Sequence, residues 1–271
     1  MIPTPIRQVL STIQASGTRA LLMGGQACVF YGAAQVSKDI DFLILAEEEN
    51  FRNLQNALDD LQAKRIAIPP FLPEALDRGH AVHFRCQAPL VAGLRIDVMT
   101  RLRAMKDFET LWQRRTVFAD DEGMEYHLLS VPDLVEAKKT QRSKDWPVIE
   151  ALVAIHYAEN LSSPTADWIR FWLLQTRSPE SLAEICARFP KEASGLIEIR
   201  PLLSVAINGD LLRLRVELQT EVLREQDKDR LYWEPLKREM EEFRRAERTV
   251  ARCADPEGNP ISPPPSGPKT E

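Results

Sequence analysis

The chain has 271 residues, of which 35 are Lys or Arg and 40 are Asp or Glu, so its formal net charge is −5. This balance argues against a protein that coats nucleic acid, because such binding depends on an excess of basic side chains that neutralise phosphates. With 44% hydrophobic and 28% charged residues, the composition is typical of a globular protein. It excludes collagen-like, disordered and disulfide-stapled chains.

The cysteines give no metal or redox motif. Cys28, Cys86, Cys186 and Cys253 are far apart and form no Cys-x-x-Cys pair. The N-terminus lacks a charged start followed by an apolar core, and the uncharged stretch 20–37 is interrupted by glycine, glutamine and serine. We therefore expect a cytoplasmic protein with reduced thiols and no membrane span.

The first half of the chain alternates predicted helices and strands. Helices are expected over 6–14, 26–31 and 47–61, and strands over 20–23, 40–45, 80–87, 94–99, 117–119 and 124–128. The strands over 80–87 and 94–99 are expected to pair as a hairpin, and so are the last two strands. This pattern predicts an α/β (α+β) core, which we assign to residues 1–128.

The second half is predicted to be helical. Helical patterns fill 131–230, and a further helix over 234–253 is expected to have Pro235 in its first turn. The tryptophans of this half are expected in its core rather than on a base-stacking surface; they are Trp146, Trp168, Trp172 and Trp233. We assign 129–253 to a helical C-terminal domain and the Pro-rich segment 254–271 to a disordered tail.

The segment 21–45 carries the most informative side chains. Gly24 and Gly25 lie between a predicted strand and a predicted helix, where amides free of side chains can cradle a phosphate. Asp39 and Asp41 are two residues apart at a predicted strand, so they point to the same face. Two such carboxylates repel each other unless a cation lies between them, and oxygen ligands of this kind suit Mg²⁺. Taken alone, the two glycines are also compatible with an ordinary tight turn. The two aspartates, taken alone, are also compatible with solvated acids at the start of a strand.

Asp97 lies inside a predicted strand, between Ile96 and Val98. A buried carboxylate is costly unless it is paired or binds a metal. If this strand lies beside the strand over 40–45, three carboxylates converge next to the glycines, and two metal ions held there could clamp both oxygens of a phosphoryl displacement. The alternative is an ion pair between Asp97 and Arg95 or Arg101.

This order of motifs resembles the nucleotidyltransferase superfamily, whose fold is shared with DNA polymerase beta, and in particular its small toxin-type, AbiEii-like members. The resemblance spans residues 18–155 and implies a nucleotidyltransferase-like mixed sheet. It assigns Gly24, Gly25 and Ser37 to nucleotide binding. It also assigns Asp39 and Asp41 to a two-metal Mg²⁺ site, with Asp97 as the third ligand, which helps to activate the attacking hydroxyl. One departure is Gln35, which stands where these relatives usually have Arg.

The segment 129–152 resembles the helix pair that follows the core in these relatives. Its basic cluster consists of Lys138, Lys139, Arg142 and Lys144. The resemblance implies that Lys138 or Lys144 binds the triphosphate and that Asp145 orients a neighbouring side chain. The alternative is a set of solvated charges at a helix end.

Two functional hypotheses follow from the resemblance. The first is an enzyme that uses Mg²⁺ to transfer an NMP from an NTP to an acceptor hydroxyl on RNA or tRNA, a protein or a small molecule, in the manner of a toxin with an antitoxin partner. The second is a degenerate relative that binds a nucleotide or a partner protein without turnover, with Gln35 as the first sign of the loss.

Overall fold

A seven-stranded mixed sheet lies at the centre of the first half, in a computed structural model that describes residues 3–252. The strands are β1 (Ala20–Met23), β2 (Asp39–Ile44), β3 (Lys64–Arg65), β4 (Val82–Arg85), β5 (Arg95–Met99), β6 (Thr116–Ala119) and β7 (Glu125–Leu128). Their order in the sheet is β3-β4-β5-β2-β1-β7-β6. β2 runs parallel to β5 and β1 runs parallel to β7, whereas the other neighbours are antiparallel. The predicted mixed sheet and both predicted hairpins are confirmed.

Helices flank the sheet and form the second half of the described chain. They are α1 (Thr4–Ala15), α2 (Gly24–Phe30), α3 (Glu48–Asp60), α4 (Pro73–Asp77), α5 (Phe108–Gln113), α6 (Val131–Lys138), α7 (Trp146–Asn160), α8 (Ala166–Gln175), α9 (Pro179–Arg188), α10 (Pro190–Gly195), α11 (Leu203–Ile207) and α12 (Leu211–Arg252). A short 3₁₀ helix at Ser143–Asp145 precedes α7. The predicted helical C-terminal region is confirmed, and α2 begins earlier than predicted, at Gly24 itself.

The two central strands alternate apolar and charged side chains, and this alternation sets up the site. Ile40 and Phe42 of β2 and Ile96 and Val98 of β5 are buried in the core. The parallel register pairs Ile40 with Ile96 and Phe42 with Val98. Because successive strand side chains point to opposite faces, the residues between them are presented together on the other face of the sheet.

The long helix α12 corrects one prediction. A separate helix with Pro235 in its first turn is wrong, because α12 is continuous and contains Pro235 in its interior. An interior proline removes a backbone hydrogen bond and costs about 3 kcal/mol. Leu214 and Leu218 before it and Leu236 after it are all buried. Burial on both sides of the proline therefore outweighs the local preference of the sequence to break the helix.

The core is one continuous hydrophobic cluster that contains residues of both the sheet and the helical half. Cys28, Cys86 and Cys186 are buried within it as free thiols. Cys253 and the predicted tail 254–271 lie outside the described residues. Between residues 3 and 252, no helix combines the length and the apolar character needed to cross a membrane.

Candidate functional site

The charged face of the sheet brings the three predicted acids together. The register places Asp41 of β2 opposite Asp97 of β5, and Asp97 opposite His83 of β4. Paired positions point to the same face, so these side chains form one row across three strands. Asp39 lies on the same face, opposite Arg95. The expectation that the strand with Asp97 lies beside the strand with Asp39 and Asp41 is confirmed.

The carboxylate of Asp97 is engaged by two neighbours. Arg95 donates from Nε to Oδ1 at 2.7 Å and from Nη2 to Oδ2 at 2.9 Å, and His83 Nδ1 lies 2.8 Å from Oδ1. Burial raises the pKa of Asp97, but hydrogen bonds from His83 and Arg95 more than offset this effect and hold the pKa below its usual value. The alternative ion pair is thus present with Arg95, whereas Arg101 pairs with Asp77.

The surroundings of Asp41 raise its pKa, whereas those of Asp97 lower it. Burial raises the pKa of its carboxyl to about 6, and the negative charges of Asp97 and Asp39 add to this effect. Lys138 and the amide of Gly25 act in the other direction, but the Gly25 nitrogen is 3.4 Å from Asp41 Oδ2, which makes a long hydrogen bond. Asp41 is therefore a half-buried acid whose negative charge is only weakly compensated.

The two glycines allow the chain to pass close to these acids. Gly24 has φ +66, and a Cβ there would lie 1.8 Å from Asp41 Oδ2, so any larger residue would displace the carboxylate. A Cβ at Gly25 would lie 2.6 Å from Oγ of Ser37. That hydroxyl donates to the carbonyl of Asp39 at 2.9 Å, so Ser37 holds the segment that enters β2. The predicted contact of Ser37 with a nucleotide stays a prediction.

A cavity of about 160 Å³ opens in front of Asp41. It lies between the sheet, α6 and α12, and its polar lining includes Asp41, Lys138, Arg142 and Arg103. The backbone of Gly24 forms part of its wall. The lining also includes Glu136 and Asp229, which pair with Lys139 and with Arg103. Asp41 therefore shares the cavity with Lys138 and Arg142, and a cation beside an acid with basic side chains nearby is an arrangement suited to a metal-bound polyphosphate.

Asp145 orients the basic residues at the end of α6. This buried carboxylate lies 3.6 Å from Lys138 Nζ and 2.8 Å from Arg142 Nε, and it accepts a hydrogen bond of 2.5 Å from Thr140. The geometry thus gives Asp145 the orienting contacts that the resemblance implied. Of the two lysines proposed for the triphosphate, Lys138 lines the cavity, whereas Lys144 is exposed to solvent and is not part of the lining.

Sequence reasoning missed the contribution of α12. Arg103 Nε lies 3.2 Å from Asp229 of α12 and Arg103 Nη2 donates to the carbonyl of Lys139 at 2.6 Å. Asp229 also accepts from the backbone nitrogen of Gln141 at 2.9 Å. Through these contacts α12 closes one side of the cavity, and Trp233 becomes part of the wall. The sequence predicted a helix that ends at 230 and another that begins at 234, so it did not place Asp229 and Trp233 on one helix, and nothing in it placed that helix against residue 103.

The prediction that the tryptophans of the helical half belong to the core is confirmed. Trp146 and Trp172 are buried in the core, and Trp168 and Trp233 pack against it. Trp233 also lines the cavity beside Asp41, which the sequence did not predict. His83 was not among the predicted site residues, although the predicted hairpin over 80–87 and 94–99 held the signal, because its register places His83 opposite Asp97.

The donor set fits one Mg²⁺ ion better than two. Among the described residues, no group of three or more Asp, Glu, His or Cys side chains is gathered so that it could hold a metal ion. Asp39 and Asp41 share one strand face, and two carboxylates completed by water and phosphate oxygens are a common way to bind Mg²⁺. The predicted two-metal site stays a prediction, and it requires Asp97 to leave Arg95.

Comparisons with known proteins add no assignment: no protein-family model matches the chain, and no curated protein matches it. The functional interpretation therefore depends on the chemistry of the site. Its elements are a weakly compensated acid, a second acid on the same strand face and basic side chains oriented by Asp145. They are complementary to a cation and a polyanion bound together.

Proposed function

We propose that this protein binds a nucleoside triphosphate with Mg²⁺ in the cavity beside Asp41 and transfers its nucleotidyl group to an acceptor hydroxyl. One observation carries the proposal: the half-buried, weakly compensated Asp41 shares its strand face with Asp39 and its cavity with Lys138 and Arg142. A fold accepts such an acid at a cost, and a bound cation would offset that cost. The basic residues would then bind the phosphates that accompany the cation.

Each residue has a distinct role in this proposal. Asp39 and Asp41 would hold the Mg²⁺ ion, which when bound neutralises charge on the phosphates. Lys138 and Arg142, oriented by Asp145, would bind phosphate oxygens and stabilise the charge that develops on the leaving group. Glycine at position 24 leaves room for the Asp41 carboxylate, which a Cβ there would displace, and its backbone would face the phosphates without an intervening side chain.

The proposed reaction is an in-line displacement at the α-phosphorus. The acceptor oxygen forms a new bond to this phosphorus, the bond to the bridging oxygen breaks, and pyrophosphate leaves with the electron pair. Asp97 would take the proton of the attacking hydroxyl, provided that Arg95 releases its carboxylate. Catalysis would depend mainly on positioning and on charge neutralisation.

A second candidate function is nucleotide binding without turnover. The observation that favours it is the engagement of Asp97 by both Arg95 and His83, which leaves the attacking hydroxyl without an obvious base. The exposed Gln35, at a position where the resembling proteins usually have Arg, agrees with such a loss. The two candidates share the nucleotide and the cation, and they differ in the release of pyrophosphate.

The decisive experiment follows label transfer from α-³²P-labelled NTPs, in Mg²⁺, to total tRNA, to cell-extract proteins and to small-molecule acceptors. Asp39→Asn and Asp41→Asn should each abolish labelling while the circular dichroism spectrum stays unchanged. Asp60→Asn, which changes an exposed acid at the end of α3, is the matched control and should label like the wild type.

The outcomes separate the candidates. Calorimetric NTP binding that requires Mg²⁺ and Asp41, without pyrophosphate release for any acceptor, supports binding alone. Labelling that survives in Asp41→Asn contradicts the transfer proposal, and a wild type that binds no NTP contradicts both. The acceptor and the antitoxin partner stay predictions, and the labelled fraction of the screen would identify the acceptor class.

A further inference from the structure

Trp233 gives the cavity an apolar wall next to its charged lining. The other apolar side chains of the lining include Met99, Leu102 and Leu134. None of these groups is suited to phosphate, whose oxygens require hydrogen-bond donors or cations. The apolar part of the cavity therefore fits a different portion of the ligand from the part that Asp41 and Lys138 contact.

The indole of Trp233 is held in place before any ligand binds. Its Nε1 donates to Asp229 Oδ1 at 3.2 Å, and Asp229 is fixed in turn by Arg103 and by the backbone of Gln141. The ring of Tyr232 packs edge-on against it, with centroids 5.3 Å apart and an interplanar angle of 86°. Because the ring nitrogen is already bonded and the side chain is only partly buried, the indole offers a rigid apolar surface to the cavity.

We infer that the nucleobase of the substrate packs against Trp233, so that α12 supplies the base-binding wall of the site. This inference rests on the proposed nucleoside triphosphate. A base is the flat, apolar part of a nucleotide, and bases stack on aromatic side chains with little dependence on their identity.

A structural role for Trp233 predicts something different. If Trp233 only holds α12 against the sheet, its removal weakens every ligand of the cavity alike, because Arg103 and Asp229 shift with the helix. If it binds the base, its removal weakens a ligand that has a base and spares a ligand that has none. Inorganic tripolyphosphate is such a base-free probe.

The experiment measures the binding of ATP and of tripolyphosphate, both with Mg²⁺, by calorimetry. Trp233→Leu should weaken ATP about tenfold and tripolyphosphate less than twofold, because stacking on one aromatic side chain has this order of magnitude. Trp233→Phe, which keeps an aromatic ring, should recover most of the ATP affinity. Trp168→Leu is the control, since Trp168 packs edge-on against His156 in the helical half, and it should leave both affinities unchanged.

Fluorescence gives a second readout that needs only the folded wild type and the Phe variant. ATP should quench the emission of the wild type more than that of Trp233→Phe, and tripolyphosphate should quench neither. Equal weakening of both ligands in Trp233→Leu, or equal quenching by ATP in the two proteins, overturns the inference while the proposed function stands. A wild type that binds neither ligand, or binding that ignores Asp41→Asn, overturns the proposed function itself.

Discussion

Two clusters of charge within the fold differ in how their carboxylates are compensated. In the helical half, Glu221 of α12 accepts a hydrogen bond of 2.7 Å from Arg200 Nη2 and another from Arg177 Nη1. Burial raises the pKa of Glu221, but the two arginines more than offset this and hold the pKa below its usual value. On the sheet, the neighbours of Asp41 include Asp97 and Asp39, and the pKa of Asp41 is raised to about 6.

The difference separates a stabilising cluster from a site. The ionised Glu221 lowers the free energy of the fold, because removing it would leave two buried guanidinium groups with less compensation. The ionised Asp41 raises the free energy of the fold, so its presence needs another explanation, and cation binding supplies one. Both carboxylates are half-buried, yet the two neutral amides should have opposite effects. Glu221→Gln should lower the free energy of unfolding, whereas Asp41→Asn should raise it.

The largest effect is expected at Glu221. Glu221→Gln should lower the free energy of unfolding at pH 7 by about 3 kcal/mol, at the low end for breaking a buried pair because Glu221 is partly exposed. Arg177, whose pKa burial lowers to about 10, and Arg200 would both lose their shared carboxylate. Urea unfolding measures the change.

The control for this prediction is an exposed ion pair. Glu180→Gln removes the partner of Arg215, and both side chains of that pair are more than half exposed. Its cost should be a small fraction of that of Glu221→Gln, because exposed ion pairs contribute little to stability. Similar losses for the two variants would mean that the arginine cluster is no more important for stability than a surface pair.

Asp41→Asn is expected to act in the other direction. A pKa raised from 3.8 to about 6 means that the folded state holds its proton more tightly than the unfolded chain. Stability from this group is therefore fully present below pH 3.8 and is lost as the pH rises through about 6. The amide should increase the free energy of unfolding by up to about 3 kcal/mol at pH 8, since the shift is about two pKa units and each unit corresponds to about 1.4 kcal/mol.

The pH dependence of that difference is the check. Urea unfolding at a series of pH values, in buffer with EDTA, gives the free energy of unfolding of the wild type and of Asp41→Asn as a function of pH. The two free energies should be equal below pH 4 and should diverge between pH 4 and pH 7. Subtracting the two proteins cancels the titration of the carboxylates that do not interact with Asp41, so the difference reports Asp41 together with its neighbours Asp39 and Asp97. A variant that is less stable than the wild type at pH 8 would show that Asp41 is compensated after all.

The sheet side of this comparison was largely predictable from sequence, whereas the α12 side was not. Alternation along one strand is a local pattern, so it predicted that Asp39 and Asp41 share a face, and that Asp97 would join them if its strand lay beside theirs. The same pattern left two partners open for Asp97, because Arg95 lies two residues away on that face and a metal ion would compete for the same oxygens. The place of Trp233 in the cavity wall was missed because it depends on contacts between α12 and residue 103, which no local periodicity encodes.

The smallest of these effects is expected at Arg95, and it tests whether Asp97 belongs to the cation site. Arg95→Met removes both hydrogen bonds to the Asp97 carboxylate and one positive charge beside Asp41. Divalent cations should then bind about tenfold more tightly, which corresponds to about 1.4 kcal/mol. The loss of the free Mn²⁺ signal in electron paramagnetic resonance titrations measures this affinity without any nucleotide.

The matched variant is Arg85→Met, because Arg85 lies opposite Arg95 in the register of β4 and β5 and is exposed. It removes the same charge from the same face without touching Asp97, so the Mn²⁺ affinity should rise less than threefold. Equal tightening in both variants would mean that net charge alone controls the affinity. No tightening in Arg95→Met would mean that Asp97 stays with His83 and takes no part in binding the cation, which would favour nucleotide binding without transfer.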